Sequence, residues 1–174
     1  MKLMIASDIH GSAYYCRKLL DAFEMHKADR LLLLGDLLYH GPRNPLPEGH
    51  DPKAVASMLN AAKDKLLCVR GNCDCEVDQM VLDFPILAEY ALLCADGVTV
   101  FAAHGHNFNP DNLPPLHKGD VLANGHTHIP IIKDMNEFTY INCGSAALPK
   151  ENSPHSYITV SYTHLRAHET EADL

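Results

Sequence analysis

The chain has 174 residues, 47% of them apolar and 21% charged, with a formal net charge of -8. Such a length suits one domain with a sizeable core, and the composition is that of an ordinary globular protein. No window approaches eighteen uninterrupted apolar residues, which argues against a membrane span, and the acidic balance argues against broad nucleic-acid binding, which needs basic patches.

Lys2 to Ala6 is a short apolar run and reads as a buried strand. Ser12 suits the cap of a helix whose apolar face is Cys16, Leu19, Leu20 and Phe23. A second buried strand, Leu31 to Leu34, ends at Gly35, and a Pro- and Gly-rich loop runs from His40 to Asp51. Pro52 opens a helix presenting Val55, Met58, Leu59 and Ala62, and Leu66 to Val69 is a third strand. Strand, helix, strand, helix, strand favours parallel pairing. The second half differs. Leu87 to Leu93 and Val98 to Ala103 read as strands joined by the hairpin signal Asp96-Gly97. Val121 to Asn124, Phe138 to Asn142 and Tyr157 to Val160 follow with no room for helical crossovers. These late strands predict a second sheet facing the first, with helices outside, in a domain spanning residues 1–160. The last stretch, residues 161–174, is set apart as adaptor-like non-native sequence or a disordered tail, and its His164 and His168 are not counted as ligands.

The cysteines Cys16, Cys68, Cys73, Cys75, Cys94 and Cys143 are scattered, which reads as mostly buried thiols in a reducing compartment rather than a disulfide framework. The N-terminal segment lacks the apolar length of a signal peptide, so a cytoplasmic location is expected.

Five polar clusters each follow an apolar strand. Asp8 and His10 lie just past the first strand, where alternation on extended backbone would aim both at one point. Asp36, after Gly35, would stand beside Asp8 at the same carboxyl edge of parallel strands, and two close carboxylates call for a cation. Gly71-Asn72-Cys73-Asp74 follows the third strand, and the Asn72 amide oxygen is a neutral, hard donor. His104-Gly105-His106 and Gly125-His126-Thr127-His128 end strands of the second sheet and offer imidazoles suited to borderline metals. Taken singly, each cluster is as well explained by turn chemistry or a satisfied core residue; their order and shared position at strand ends carry the case.

In that order, the five blocks resemble those of the calcineurin-like metallophosphoesterase superfamily, over nearly all of residues 1–160. The segments from His40 to Glu48 and from Gly71 to Met80 are similar to small bacterial phosphodiesterases of that group. The resemblance implies an α/β sandwich of two mixed β-sheets flanked by helices. It implies one metal held by Asp8, His10, Asp36 and His128, and a second held by Asp36, Asn72, His104 and His126, with Asp36 bridging. Manganese is the ion such a resemblance favours; zinc, iron, cobalt and nickel also suit mixed oxygen and nitrogen donors. Two divalent ions opposed by Asp8, Asp36 and a bridging hydroxide stay net positive, which would draw in a phosphate ester for in-line attack. Cys73 stands where the family generally has a histidine taken to help protonate the leaving group, so weak leaving-group protonation is expected. Arg43 and His106 are candidates for substrate contact. The expected activity is hydrolysis of a small phosphoester, most readily a diester. A second reading is a non-catalytic protein-interaction scaffold on the same fold. The oligomeric state is left open, a homo-oligomer included.

Overall fold

The computed structural model describes residues 2–95, 97–161 and, for the backbone, 168–172. Strand β1 (Lys2–Ala6) leads into helix α1 (Ala13–Met25), and β2 (Arg30–Leu33) into helix α2 (Pro52–Ala61). A 3-10 turn (Lys63–Lys65) precedes β3 (Leu66–Cys68), which is followed by the single turn α3 (Glu76–Gln79). The remaining elements are strands: β4 (Ala91–Ala95), β5 (Val98–Ala102), β6 (Val121–Asn124), β7 (Pro130–Asp134), β8 (Thr139–Cys143), β9 (Ser156–Ser161) and β10 (His168–Ala172). The helix starts follow the sequence signals. The Ser12 side chain accepts from Tyr15 N, and the Asp51 side chain accepts from Ala54 N with Pro52 in the first turn.

The strands form two five-stranded sheets, ordered β10-β9-β1-β2-β3 and β4-β5-β6-β8-β7. In the first, β1, β2 and β3 are parallel and β9 is antiparallel to β1; in the second, β5, β6 and β8 are parallel with antiparallel edges. Alternation along β1 explains its unbroken apolar run. Leu3 and Ile5 face the second sheet, packing with Leu32, Leu34, Val100, Val121 and Ile141. Met4 and Ala6 face the helices, packing with Leu19, Phe23, Val55 and Leu59. A strand covered on both faces needs no polar side. The outer face of the second sheet carries a smaller cluster around Phe101, Leu122 and Phe138, covered by loop residues such as Phe108 and Leu116.

Several sequence expectations shift. Residues 87–90 lie outside any strand, and β4 begins at Ala91. Leu82, Phe84 and Ile86 are instead buried against the helix layer, and the Ala88 carbonyl accepts from Arg70 N at 2.8 Å. Strand β7 gave no signal because Ile131 and Ile132 are both 40% exposed on an edge, so no alternation marks it. Strand β9 belongs to the first sheet, not the second, with Ile158 and Val160 completing the core between the sheets. The Asp96 half of the hairpin signal lies outside the described residues, but β4 and β5 are antiparallel neighbours as the signal implied. In the C-terminal stretch, the backbone of β10 pairs antiparallel with β9, while residues 162–167 and 173–174 fall outside the described set. All six cysteines are free; Cys16 and Cys143 are buried, Cys68, Cys73 and Cys75 half-buried, and Cys94 exposed. Among the described residues, no helix is long and apolar enough to cross a membrane.

The loops after β2 and β3 touch at Gly35 and Gly71. A Cβ on Gly35, whose φ is +95°, would overlap the Gly71 main chain. Gly97, with φ +80°, has open space around a Cβ. Gly35→Ala is therefore expected to cost about 3 kcal/mol or more, combining backbone strain with a main-chain clash, whereas Gly97→Ala bears only the strain, about 1 kcal/mol. Denaturant midpoints of the two variants compare the effects directly, and equal losses would refute the close-approach account.

Candidate metal centre

The motif residues sit on five loops that leave the carboxyl ends of β1, β2, β3, β5 and β6. Main-chain bonds lock these loops together. Asp8 N donates to the Gly35 carbonyl at 3.1 Å, and His10 N to the Asp36 carbonyl at 2.9 Å. Two bonds tie one sheet to the other: His126 N donates to Asp8 Oδ2 at 2.9 Å, and His104 Nδ1 donates to the Leu34 carbonyl at 2.7 Å.

The convergence does not come from extended backbone, as alternation would have it. Asp8, His10, Asp36, His126 and His128 have φ of 59°, 49°, 55°, 66° and 64°. Left-handed backbone turns each side chain back over the strand ends, at a cost of roughly 1 kcal/mol or more per residue with a Cβ. Of the nine non-glycine residues with positive φ among those described, five are these candidate ligands, so the strain is concentrated here.

Asp8, His10, Asp36, His104 and His128 are all buried, while His126 is half-buried and Asn72 exposed at the mouth. Asp8 Oδ1 lies 3.4 Å from His10 Nε2 and 3.2 Å from His128 Nε2, and those two nitrogens face each other at 3.2 Å. His10 Nδ1 donates to the Tyr39 carbonyl at 2.8 Å, and His128 Nδ1 to the Leu148 carbonyl. With Nδ1 carrying the proton in each neutral ring, both Nε2 atoms present lone pairs. Asp36 Oδ2 reaches from this group to the next, 3.8 Å from His10 Nε2 and 3.5 Å from His104 Nε2. Around His104 Nε2 stand Asn72 Oδ1 at 3.0 Å and His126 Nδ1 at 3.2 Å. All seven candidate ligands therefore come together, with Asp36 between two subgroups.

The donor set fits divalent cations. Asp8 Oδ1 is buried with no hydrogen-bond partner, a costly state that a cation would relieve. The donors of Asp8, His10 and His128 lie within 4.8 Å of one another, as do those of Asp8, Asp36 and His104. The electrostatics agree. Burial alone would raise the Asp8 pKa, but the imidazoles of His104, His10 and His128 around it hold it well below the usual carboxylate value. Burial opposes an imidazolium at His10, yet Asp8, the Tyr39 carbonyl and Asp36 raise its pKa above the ordinary value.

Cys73 lines the site beside Asn72, and its N–H donates to Asp36 Oδ1 at 2.8 Å. Burial and the charge of Asp36 push its thiol up to about 12, so it keeps its proton at neutral pH. Arg43 lines an adjoining cavity of about 450 Å³, together with Asn44, Cys73, Thr127 and Lys150. His106 does not line that cavity. Its ring packs 5.4 Å from His104 and 6.2 Å from His126, with a buried Nδ1 lacking a partner. Burial, then the charge of His104, lowers its pKa.

The motifs alone assigned no role to Asp74, Ser145 or Lys150. Asp74 Oδ2 accepts from Asp36 N at 2.8 Å and Gly71 N at 2.7 Å, and its Oδ1 accepts from Leu37 N at 2.9 Å. It thereby fixes the loop that carries Asp36. Burial raises its pKa, and these amide donors offset part of the rise. Its signal was its place in the Gly-Asn-x-Asp block. Ser145 Oγ donates to the Asp8 carbonyl at 2.8 Å from the loop after β8. Lys150 sits in a turn whose amide donates to the His128 carbonyl at 3.2 Å, which no local pattern marks.

The chain matches the calcineurin-like phosphoesterase superfamily domain over residues 1–164. It is 49% identical over 157 residues to phosphodiesterase YfcE of Escherichia coli K12, covering 90% of this chain and 85% of that protein. The solved structure of Yfce, described as a phosphoesterase from E. coli, superposes with a TM-score of 0.90 at 43% identity over 99% of both chains. An archaeal phosphodiesterase shares the fold at a TM-score of 0.68 and 18% identity, covering 95% of this chain and 96% of that one. Vps29 from Entamoeba histolytica does so at 0.61 and 19%, covering 92% and 86%.

Asp74→Asn replaces one acceptor oxygen by an NH2 group facing a main-chain N–H. The Asp36 loop should loosen, weakening metal affinity by about 10- to 100-fold, the range for losing a group that orients a ligand. Isothermal titration of metal into the stripped variant measures this, and an unchanged affinity would show that Asp74 does not orient the site.

Proposed function

Because the chain belongs to the calcineurin-like phosphoesterase superfamily, we propose that these buried carboxylates and imidazoles form the dinuclear centre of a metal-dependent phosphodiesterase. The observation that carries this is the unpartnered Asp8 Oδ1 facing the Nε2 atoms of His10 and His128, three acceptors in a buried space with no donor between them. Asp8, His10, Asp36 and His128 would hold one ion, and Asp36, Asn72, His104 and His126 the other. Bound there, divalent ions supply Lewis acidity toward phosphoryl oxygens and activate water at neutral pH for in-line displacement. The mixed oxygen and nitrogen donors and the family likeness support manganese, with zinc, iron, cobalt and nickel as competitors. Six free thiols support a reducing, cytoplasmic setting.

The chain's own groups have separable tasks. The carbonyls of Tyr39, Leu34 and Leu148 fix the tautomers of His10, His104 and His128, keeping each Nε2 free to bind. Asn72 donates its amide Nδ2 to Cys73 Sγ at 3.3 Å, which turns Oδ1 toward the centre. Arg43 offers a guanidinium from the cavity wall to an anionic substrate. Cys73 supplies a protonated thiol where a histidine would be a better acid, so esters with good leaving groups should be favoured.

Two experiments test this. Metal-stripped protein should hydrolyse neither a chromogenic diester nor a monoester, and added manganese should restore the diester activity most. Folded protein that no metal activates would support the scaffold reading. Cys73→His should raise kcat several-fold for poor leaving groups and little for good ones. An equal effect across a leaving-group series would remove Cys73 from proton transfer.

A further inference from the structure

Arg43 and Lys150 are the cations that line the cavity outside the ligand set. Both are exposed. Among the described residues neither is paired with a carboxylate, although Lys63, Lys65, Arg70 and Lys118 pair with Asp83, Glu24, Glu89 and Glu137. In a chain with 22 acidic and 14 basic residues, two cations on the wall of one cavity with no carboxylate to neutralise them make that wall locally positive.

Lys150 is placed by the centre itself. Its N–H donates to the His128 carbonyl at 3.2 Å, and Ser153 Oγ donates to the carbonyls of both His128 and Lys150, at 3.3 and 2.6 Å. The turn continues through Glu151 and Asn152, with φ of 54° and 58°. The position of Lys150 is thus indexed to a candidate metal ligand. Arg43 stands in the loop whose Asn44 donates to the His40 carbonyl at 2.8 Å.

The scissile group does not require them. Two divalent ions opposed by Asp8 and Asp36 are already net positive, and a diester carries one negative charge. The cavity lining includes no phenylalanine or tyrosine, and the chain has no tryptophan, so no large aromatic face is offered for stacking a base. What the wall offers is positive charge.

Building on the phosphodiesterase reading, we propose that Arg43 and Lys150 form an anion subsite beside the metal centre, selecting diesters that carry a second anionic group. That group is a phosphate or a carboxylate on the substituent next to the scissile phosphate. The subsite lowers KM for such substrates and is weakened by salt.

The test uses the metal-loaded enzyme and three diesters with one leaving group: ethyl, 2-carboxyethyl and 2-phosphoethyl p-nitrophenyl phosphate. The charged substrates should show kcat/KM about tenfold above the ethyl diester, mainly through KM, as expected for a partly exposed charge pair. The larger ratio of the two tells phosphate from carboxylate. Lys150→Ala and Arg43→Ala should each collapse the ratio, and Lys150→Arg should retain it. Lys118→Ala, at a pair with Glu137 elsewhere, should match the parent. A parental ratio near one would overturn the proposal. So would an equal loss on all three diesters in Lys150→Ala, which would assign that residue to the scissile phosphate. If no metal supports hydrolysis of the ethyl diester, the phosphodiesterase reading fails by itself. Calorimetric binding of 2-carboxyethyl phosphate and ethyl phosphate then decides the subsite: tighter binding of the former, lost in Lys150→Ala, upholds it, and equal binding overturns it.

Discussion

Too many lone pairs meet in too dry a space at the edge of this sandwich. Asp8 Oδ1 and the Nε2 atoms of His10 and His128 lie within 3.2 to 3.4 Å of one another, and Asp36 adds a second carboxylate nearby. Acceptors so placed repel, and burial removes the water that would otherwise separate them. Positive charge is the remedy. The same demand raises the His10 pKa above its ordinary value, against the cost of burial, through Asp8 and Asp36. Two divalent ions would answer the same demand more fully, because they would satisfy several donors at once without needing a hydrogen on each.

Holding repelling groups together needs a rigid frame, and much of the local structure is that frame. The helix layer and the inter-sheet core bury both faces of β1 and β2, so the strand ends cannot splay. Asp74 gathers three main-chain amides around the loop that carries Asp36. The His126 amide binds Asp8 across the sandwich, which makes the two sheets share one site. Close approach then dictates glycine. A Cβ on Gly71 would overlap the Asp36 carboxylate, and one on Gly125 would overlap Ser7. The glycine before Asp36, Asn72 and His126 is spatial relief for the neighbouring loop as much as local turn chemistry.

This division explains what could be read beforehand. Buried strands announce themselves by composition, so β1, β2 and β6 were legible, and with them the strand ends where Asp8, Asp36 and the His126 pair emerge. The partner of a strand is a different matter. Nothing in Tyr157 to Val160 says that it returns to β1, because both sheets offer an apolar face. The exposed edge strand β7 has no buried side to give it a period. The candidate ligands were legible as residue types in order, but the reason they converge was not, since left-handed φ at Asp8 or His128 leaves no mark on composition. Asp74 was marked only by its place in the Gly-Asn-x-Asp block, and its bonds to Asp36 and Leu37, like that of Lys150 to His128, run to distant main chain and leave no sequence pattern.

The same fold is found in Vps29 proteins, and architecture alone does not decide function. Energetics does better. Five left-handed non-glycine residues cost on the order of 5 kcal/mol together. The stranded Asp8 oxygen adds about 1 to 3 kcal/mol more. Set against a typical folding stability of roughly 5 to 15 kcal/mol, that is a heavy load for a surface with no ligand to bind. A chain that keeps the strained backbone, the fixed histidine tautomers and the unpartnered carboxylate oxygen carries a cost that bound cations would offset.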